Sequence, residues 1–284
     1  MPAMTALDIA ALQAWVGREQ VSDDLITQAP VNGLSATLDY PQARARAGEA
    51  LPPLWHWLYF LPAPAASRLD ADGHALRGDF LPPVPLPRRM WAGSDIRFVV
   101  PLQVGDAVRR LSTIESVDHK CGRSGELVFV TLRHRVMRAG ELALEERQRL
   151  VYRDGAAAPS MPLPAPFEAQ WSRTLVPDPV LLFRYSALTF NSHRIHYDQR
   201  YAVEQEAYPG LVVQGPLSAT LLLDLLEREL PGARLARFEF RALRPLFAGH
   251  ALRLQGRCQG PAVELWALDG EGALAMTAAA ILAG

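Results

Sequence analysis

LVVQGPLSATLLLDLLEREL (residues 211–230), followed by ARFEFRA (residues 236–242), is the stretch that decides the fold. Tyr208-Pro209-Gly210 ahead of it is a turn signal. Pro216 stands where a first helical turn tolerates proline. Leu217, Leu221, Leu222, Leu225 and Leu226 form a broad apolar face, and Leu223 and Leu230 widen it. Asp224, Glu227, Arg228 and Glu229 leave only a narrow wet strip toward the end. The spacing predicts a mostly buried helix, stopped by Pro231-Gly232. In ARFEFRA, Ala236, Phe238, Phe240 and Ala242 alternate with Arg237, Glu239 and Arg241, which is the period of a strand with one dry face. HALRLQGR, AVELWAL and ALAMTAAAILA continue as strands between Gly-containing turns. One buried helix followed by antiparallel strands is an α+β pattern.

Working outward, the strand part recurs. FVVPLQVGDAVRRL (residues 98–111) matches ALRPLFAGHALRL (residues 242–254) around Pro-Leu-x-x-Gly, so Pro101 and Gly105 correspond to Pro245 and Gly249. GELVFVTLRHRVM and LALEERQRLVYR supply the strands that follow. LPPLWHWLYFLP is the first-half candidate for the helix, and its bracketing prolines shorten it. DGAAAPSMPLPAPFEAQW (residues 154–171) has neither period and reads as a linker. The expected organisation is an N-terminal degenerate half (1–153), a linker (154–171) and a C-terminal catalytic half (172–284). Two copies of a helix wrapped by an antiparallel sheet make a double hot dog. Its sheets can join edge to edge and so protect their strand edges.

Composition bounds the function. The chain has 284 residues, 49% hydrophobic, with a net charge of −1. That is enough for two cores and gives no basic excess for nucleic acid. Lys120 is the single lysine, so the cationic groups are planar guanidinium forks, suited to carboxylates and phosphates. Cys121 and Cys258 form neither a disulfide framework nor a cysteine metal motif. MPAMTALDIAALQAWVGREQ lacks the basic start and apolar run of a signal peptide. No apolar run reaches the roughly 18 residues of a membrane span. The expectation is a soluble cytoplasmic protein.

ALTFNSHRIHYDQRYA (residues 187–202) holds the polar cluster. His193, His196 and Asp198 lack the further ligands of a zinc motif, so no metal is expected. Ser186, Ser192 and Ser218 lie in no Gly-x-Ser-x-Gly elbow. Acid–base chemistry fits better: imidazole titrates near neutrality, and the Asn191 amide can hold a water or a carbonyl. The residues alone are equally consistent with a buried, hydrogen-bonded His196 and a turn Asn191.

The segment resembles the signature of the MaoC-like, R-specific enoyl-CoA hydratases, Gly-Asp-x-Asn-Pro-hydrophobic-His-x-Asp, followed by an apolar helix that begins at His-Gly. Ile195-His196-Tyr197-Asp198 matches its end, and Gly215-Pro216-Leu217 matches the helix start. The resemblance puts the catalytic histidine on His196 and the catalytic aspartate on Asn191, which is a departure. YSALTFNSHRIHYD with YPGLVVQGPL resembles a narrower branch, that of hydroxyacyl-thioester dehydratases type 2 and of mesaconyl-CoA and itaconyl-CoA hydratases, where Asn is usual at this position. FLPPVPLPRRMWAGSDIRF (residues 80–98) is similar to the N-terminal half of that branch.

The resemblance implies a hydro-lyase. It would add water to a C5 dicarboxylic enoyl-CoA (itaconyl-CoA or mesaconyl-CoA) to give citramalyl-CoA, as itaconate degradation requires. His196 is the expected base and Asn191 the residue that orients the water. A backbone N–H of Gly215 or Leu217, with Gly215 favoured, would take the thioester oxygen. Arg194, Arg184, Arg88, Arg89 and Tyr185 are candidate substrate contacts, since arginine grips carboxylates bidentately. His193 is expected to orient the loop, and Tyr197 and Asp198 to be structural. No cofactor is expected beyond the coenzyme A of the substrate, and a homodimer or higher homo-oligomer is implied. The rivals are a dehydratase of plain 3-hydroxyacyl thioesters and a non-catalytic acyl-CoA-binding hot dog.

Overall fold

The structure is a computed structural model that describes residues 7–122, 125–155 and 161–284. Residues 1–6 of the N-terminal stretch and 156–160 of the linker read above lie outside the described residues. The first half runs α1 (Ile9–Gln13), β1 (Glu19–Leu25), α2 (Gln28–Thr37), two 3₁₀ turns (Trp55–Leu58 and Ala66–Arg68), then β2 (Arg88–Phe98), β3 (Ala107–Gly122), β4 (Gly125–Arg138) and β5 (Glu141–Arg153). The second half runs β6 (Trp171–Leu175), α3 (Pro179–Leu188), a 3₁₀ turn (Arg194–His196), α4 (Gln199–Glu204), α5 (Gly215–Glu229), then β7 (Leu235–Ala242), β8 (Leu252–Gln259), β9 (Ala262–Leu268) and β10 (Leu274–Leu282). Among the described residues, no helix is long and apolar enough to cross a membrane.

All ten strands form one antiparallel sheet in the order β1-β3-β4-β5-β2-β7-β10-β9-β8-β6. From either outer edge the order is first, third, fourth, fifth, second strand of its half, so the halves share one topology. They meet where β2 pairs with β7, with Asp95 opposite Glu239, Ile96 opposite Phe238 and Ser94 opposite Phe240. Asp95 and Glu239 are 144 positions apart, as are Pro101 and Pro245, and Gly105 and Gly249. The seam therefore crosses on equivalent residues, as a local two-fold requires. Gly105 and Gly249 take the same left-handed turn, at φ 106° and 80°, which glycine adopts without steric cost. The result is the double hot dog.

α5 is the centre of the second half. Every residue from Leu217 to Leu226 is buried, packed on β6, β8, β9, β10 and the neighbouring β2. One reading is corrected here. Asp224 is not on a wet strip but buried, where Arg173, Arg228 (2.8 Å) and the Tyr40 hydroxyl all engage its carboxylate. A buried carboxylate persists only when paired and hydrogen-bonded, and Tyr40 and Arg173, distant in sequence, supply that beside Arg228 one turn on.

Before β2 the first half holds, among the described residues, only 3₁₀ turns in place of a helix like α5. Leu54 and Phe60 flank the Trp55–Leu58 turn with φ of 69° and 55°. Two left-handed residues so close together leave no room for a helix. The turn hooks onto β5 instead. Buried Glu146 accepts hydrogen bonds from Trp57 Nε1 (3.0 Å) and Ser94 Oγ (2.6 Å), and its Oε2 lies 3.2 Å from His56 Nε2.

Candidate active site

Asp178 caps α3 by accepting from the Leu181 N–H (2.7 Å), and Pro179 opens its first turn. At the other end, Phe190 turns left-handed (φ 48°) and the Asn191 N–H reaches back to the Ser186 carbonyl (2.8 Å). Asn191 Oδ1 then accepts the His193 N–H (3.1 Å), closing an Asx turn. The amide nitrogen remains available as a donor. The chain next winds the single 3₁₀ turn that ends on His196.

His196 is tied to the approach of α5. Its Nδ1 lies 2.7 Å from the Val212 carbonyl, while the Val212 N–H donates to Ile195 (2.9 Å) and the Val213 N–H to Leu246 (2.8 Å). A carbonyl can only accept, so Nδ1 carries the proton and Nε2 keeps a lone pair. Two residues on, Gln214 caps the helix. Its Nε2 donates to the Leu182 carbonyl and Ser186 Oγ (both 2.9 Å), and its buried Oε1 finds no partner among the described residues. Gly215, half-buried, offers the first helical N–H, and Pro216 has none to offer. Leu217 is fully buried. The imidazole and the helix-start N–H thus ride on one short segment.

Burial sets the electrostatics. Desolvation pulls His196 down to about 4 against the opposing pull of the Val212 carbonyl, and the His74 charge lowers it further. His193 falls to about 2, first through burial and then through the neighbouring His74 and His196. Both rings are neutral at neutral pH and able to accept a proton.

The first half reaches into this cluster with two residues that the sequence reading did not single out. A small hairpin turns at Gly73 (φ 89°), where a Cβ would lie 1.9 Å from the Ser192 carbonyl oxygen, so only glycine fits. Ser192 Oγ donates to the Gly73 carbonyl (2.5 Å), the Arg194 N–H to Asp72 (2.9 Å) and Arg194 Nη1 to Ala71 (3.1 Å). The hairpin carries Asp72 and His74, whose Oδ2 and Nδ1 are 2.8 Å apart. The His74 ring lies 4.0 Å from that of His193, which lies 5.3 Å from His196. Asp72, His74 and His193 bring donor atoms within 4.8 Å of one another. Ligands on one tetrahedral ion at 2.0–2.1 Å sit about 3.4 Å apart, however, and 2.8 Å is the length of a shared hydrogen bond. The group reads as a carboxylate–imidazole pair.

The other candidates scatter. Arg89 stands close enough for its charge to lower both His74 and His193. Arg88 is bound to Glu206 (2.9 Å). Arg194 is bound to Asp198 (2.8 Å) and lies 4.2 Å over the Tyr201 ring. Arg184 is exposed on α3. Tyr185 is buried, and desolvation pushes its phenol up against a smaller opposing pull from Thr220. Asp198 caps α4 by accepting from Tyr201 (3.0 Å).

α2 repeats the end of α3. The Leu38 N–H bonds Leu34 (2.9 Å), Asp39 turns left-handed (φ 61°) and the Tyr40 N–H bonds Ser35 (2.9 Å). By this geometry Tyr40 occupies the position of Asn191.

A sequence profile described as hydroxyacyl-thioester dehydratase type 2 matches residues 54–248. A mesaconyl-C(4)-CoA hydratase of Chloroflexus aurantiacus is 47% identical over 279 residues, covering 95% of this chain and 98% of that protein. A mitochondrial hydroxyacyl-thioester dehydratase type 2 of Schizosaccharomyces pombe is 31% identical over 278 residues, covering 87% of this chain and 91% of that one. In fold, the chain is similar to a MaoC-like dehydratase of Phytophthora capsici, with a TM-score of 0.69 at 13% identity over 98% of this chain and 99% of the other.

Proposed function

Because the chain belongs to the hydroxyacyl-thioester dehydratase type 2 family of MaoC-like hydro-lyases, we propose that it hydrates a C5 dicarboxylic enoyl-CoA. The leading substrate is mesaconyl-CoA with its thioester on C4, and the product is citramalyl-CoA. The 47% identical hydratase supports the substrate. The observation that carries the chemistry is His196, its Nε2 bare and its Nδ1 locked on the Val212 carbonyl, three positions along the chain from the Gly215 N–H.

In this reading the thioester oxygen accepts from Gly215 as negative charge builds on it. His196 Nε2 takes a proton from water as the water oxygen bonds the β carbon, and hands that proton to the α carbon. Asn191 donates to the water oxygen and orients it. Arg89 faces the free carboxylate, which the substrate carries on the β carbon beside the reaction.

The 31% identical relative favours a second reading, a dehydratase of plain 3-hydroxyacyl thioesters. Rates with mesaconyl-CoA and crotonyl-CoA side by side, read as loss of the enoyl-thioester absorbance, separate the two. His196→Ala is expected to lose roughly a hundred- to ten-thousand-fold in kcat; full activity in that variant defeats the assignment. Binding of acyl-CoA without turnover would instead indicate a non-catalytic hot dog.

A further inference from the structure

We propose that Asp72 and His74 complete this active site from the other half of the chain: His74 Nε2 accepts the second hydrogen of the attacking water, and Asp72 holds His74 in the tautomer that can do so. The proposal rests on the hydratase reading and extends it.

Asp72 gives both carboxylate oxygens to one residue. Oδ1 accepts the His74 backbone N–H (2.8 Å) and Oδ2 lies 2.8 Å from Nδ1. A carboxylate accepts only, so Nδ1 carries the hydrogen and Nε2 is left bare. This is how a buried aspartate orients a catalytic histidine in the serine-protease triad. His74 faces the cluster, 4.0 Å from the His193 ring. It is also the imidazole that solvent reaches: its side chain is 21% exposed, whereas His193 and His196 are each 8% exposed as whole residues. The groups whose charges act on it are Asp72, Arg89 and Arg77, and its own charge acts on His193 and His196.

The water needs such a partner. It gives one hydrogen to His196 and its attacking lone pair to carbon, and its other lone pair can accept from the Asn191 amide. The second hydrogen still requires an acceptor. Asn191 Oδ1 already accepts the His193 N–H, and its amide nitrogen can only donate. A neutral imidazole arriving from the first half fills that place. His74 takes up no proton: one water hydrogen passes through His196 to the α carbon and the other stays on the product hydroxyl, so the addition balances.

The test uses the full chain and three variants, with mesaconyl-CoA and crotonyl-CoA as substrates. His74→Asn keeps a donor toward Asp72 but stops short of the water. His74→Gln reaches the Nε2 position with an acceptor. Asp72→Asn can flip the ring to the wrong tautomer. His74→Asn and Asp72→Asn are expected to lose about a hundredfold in kcat with KM nearly unchanged. His74→Gln is expected to recover about tenfold of that, with thermal melts matching the parent. A purely structural hairpin predicts the reverse, with His74→Asn active. Parental kcat in His74→Asn overturns the assignment and leaves the hydratase reading standing. A parent silent on every thioester brings down both. Should His74→Asn fail to fold, Asp72→Asn decides alone, and parental kcat there overturns the proposal.

Discussion

His196 keeps its two ring nitrogens in different company, one on a backbone carbonyl and one unclaimed. Burial holds its pKa at about 4, below the ordinary 6.5. For a histidine with a lowered pKa, the neutral, proton-accepting form persists down to that lower value. The kcat/KM profile is therefore expected to run level through pH 6.5 and to fall only as pH approaches about 4, where the ring charges. An acid limb near pH 6.5 contradicts this. His196 and Asn191 were legible as a candidate pair because six consecutive residues of one loop carry both. Asp72 and His74 were not, because they arrive from more than a hundred residues away on a stretch with no period. Nothing in DADGHAL marks which loop it will touch. Its one signal was the glycine between the two residues.

The hairpin around Gly73 and the loop around Ser192 behave as one element. Gly73→Ala puts a methyl against the Ser192 carbonyl and forces a left-handed φ on alanine. The variant is expected to lose about 1–3 kcal/mol in urea unfolding. It should also lose kcat, since the displaced carbonyl belongs to the loop that carries His193 and His196. Unchanged stability and rate together would show that the two loops are not coupled. Among the elements, α5, β7 and the strands that follow β7 were read from their periods and turns. β1, β2, β6, α2 and α3 were not. QAPVNGLSAT carries Pro, Asn and Gly, all poor helix formers, and PVLLFRYSAL leaves Val180 and Phe183 exposed, so neither shows a single apolar face. Tertiary packing, and for α3 the Asp178 cap, decide the outcome. Asp224 was misread for a related reason, since Tyr40 and Arg173, both distant in sequence, changed the meaning of a charge.

Across the whole molecule, duplication was visible in Pro-Leu-x-x-Gly, and the order of the ten strands carries the same repeat. What each half does with its centre was less legible. The first half fills that space with the Trp55–Leu58 turn fastened to Glu146. Burial alone would raise that carboxyl, but the hydrogen bond and charge of His56, then His134 and Ser94, outweigh it and hold it at about 2 from an ordinary 4.5. A depressed carboxylate adds stability above its unfolded pKa and loses it as pH falls through the folded one. The melting temperature is therefore expected to fall between pH 4.5 and about 2. Glu146→Gln should melt lower at neutral pH and respond less across that window. An identical acid response in both proteins rules out Glu146 as its source.

The ion cluster at Asp224 gives this arrangement a mechanical side. Tyr40, standing where the other half has its asparagine, grips α5 nine residues beyond Gly215, about 14 Å along the axis. The helix is a beam clamped toward one end by the counterpart of Asn191, while its other end presents the Gly215 N–H. That end cannot slide without straining the clamp, so in the proposed mechanism the aim of the Gly215 N–H is stiffened by residues far from the reacting atoms.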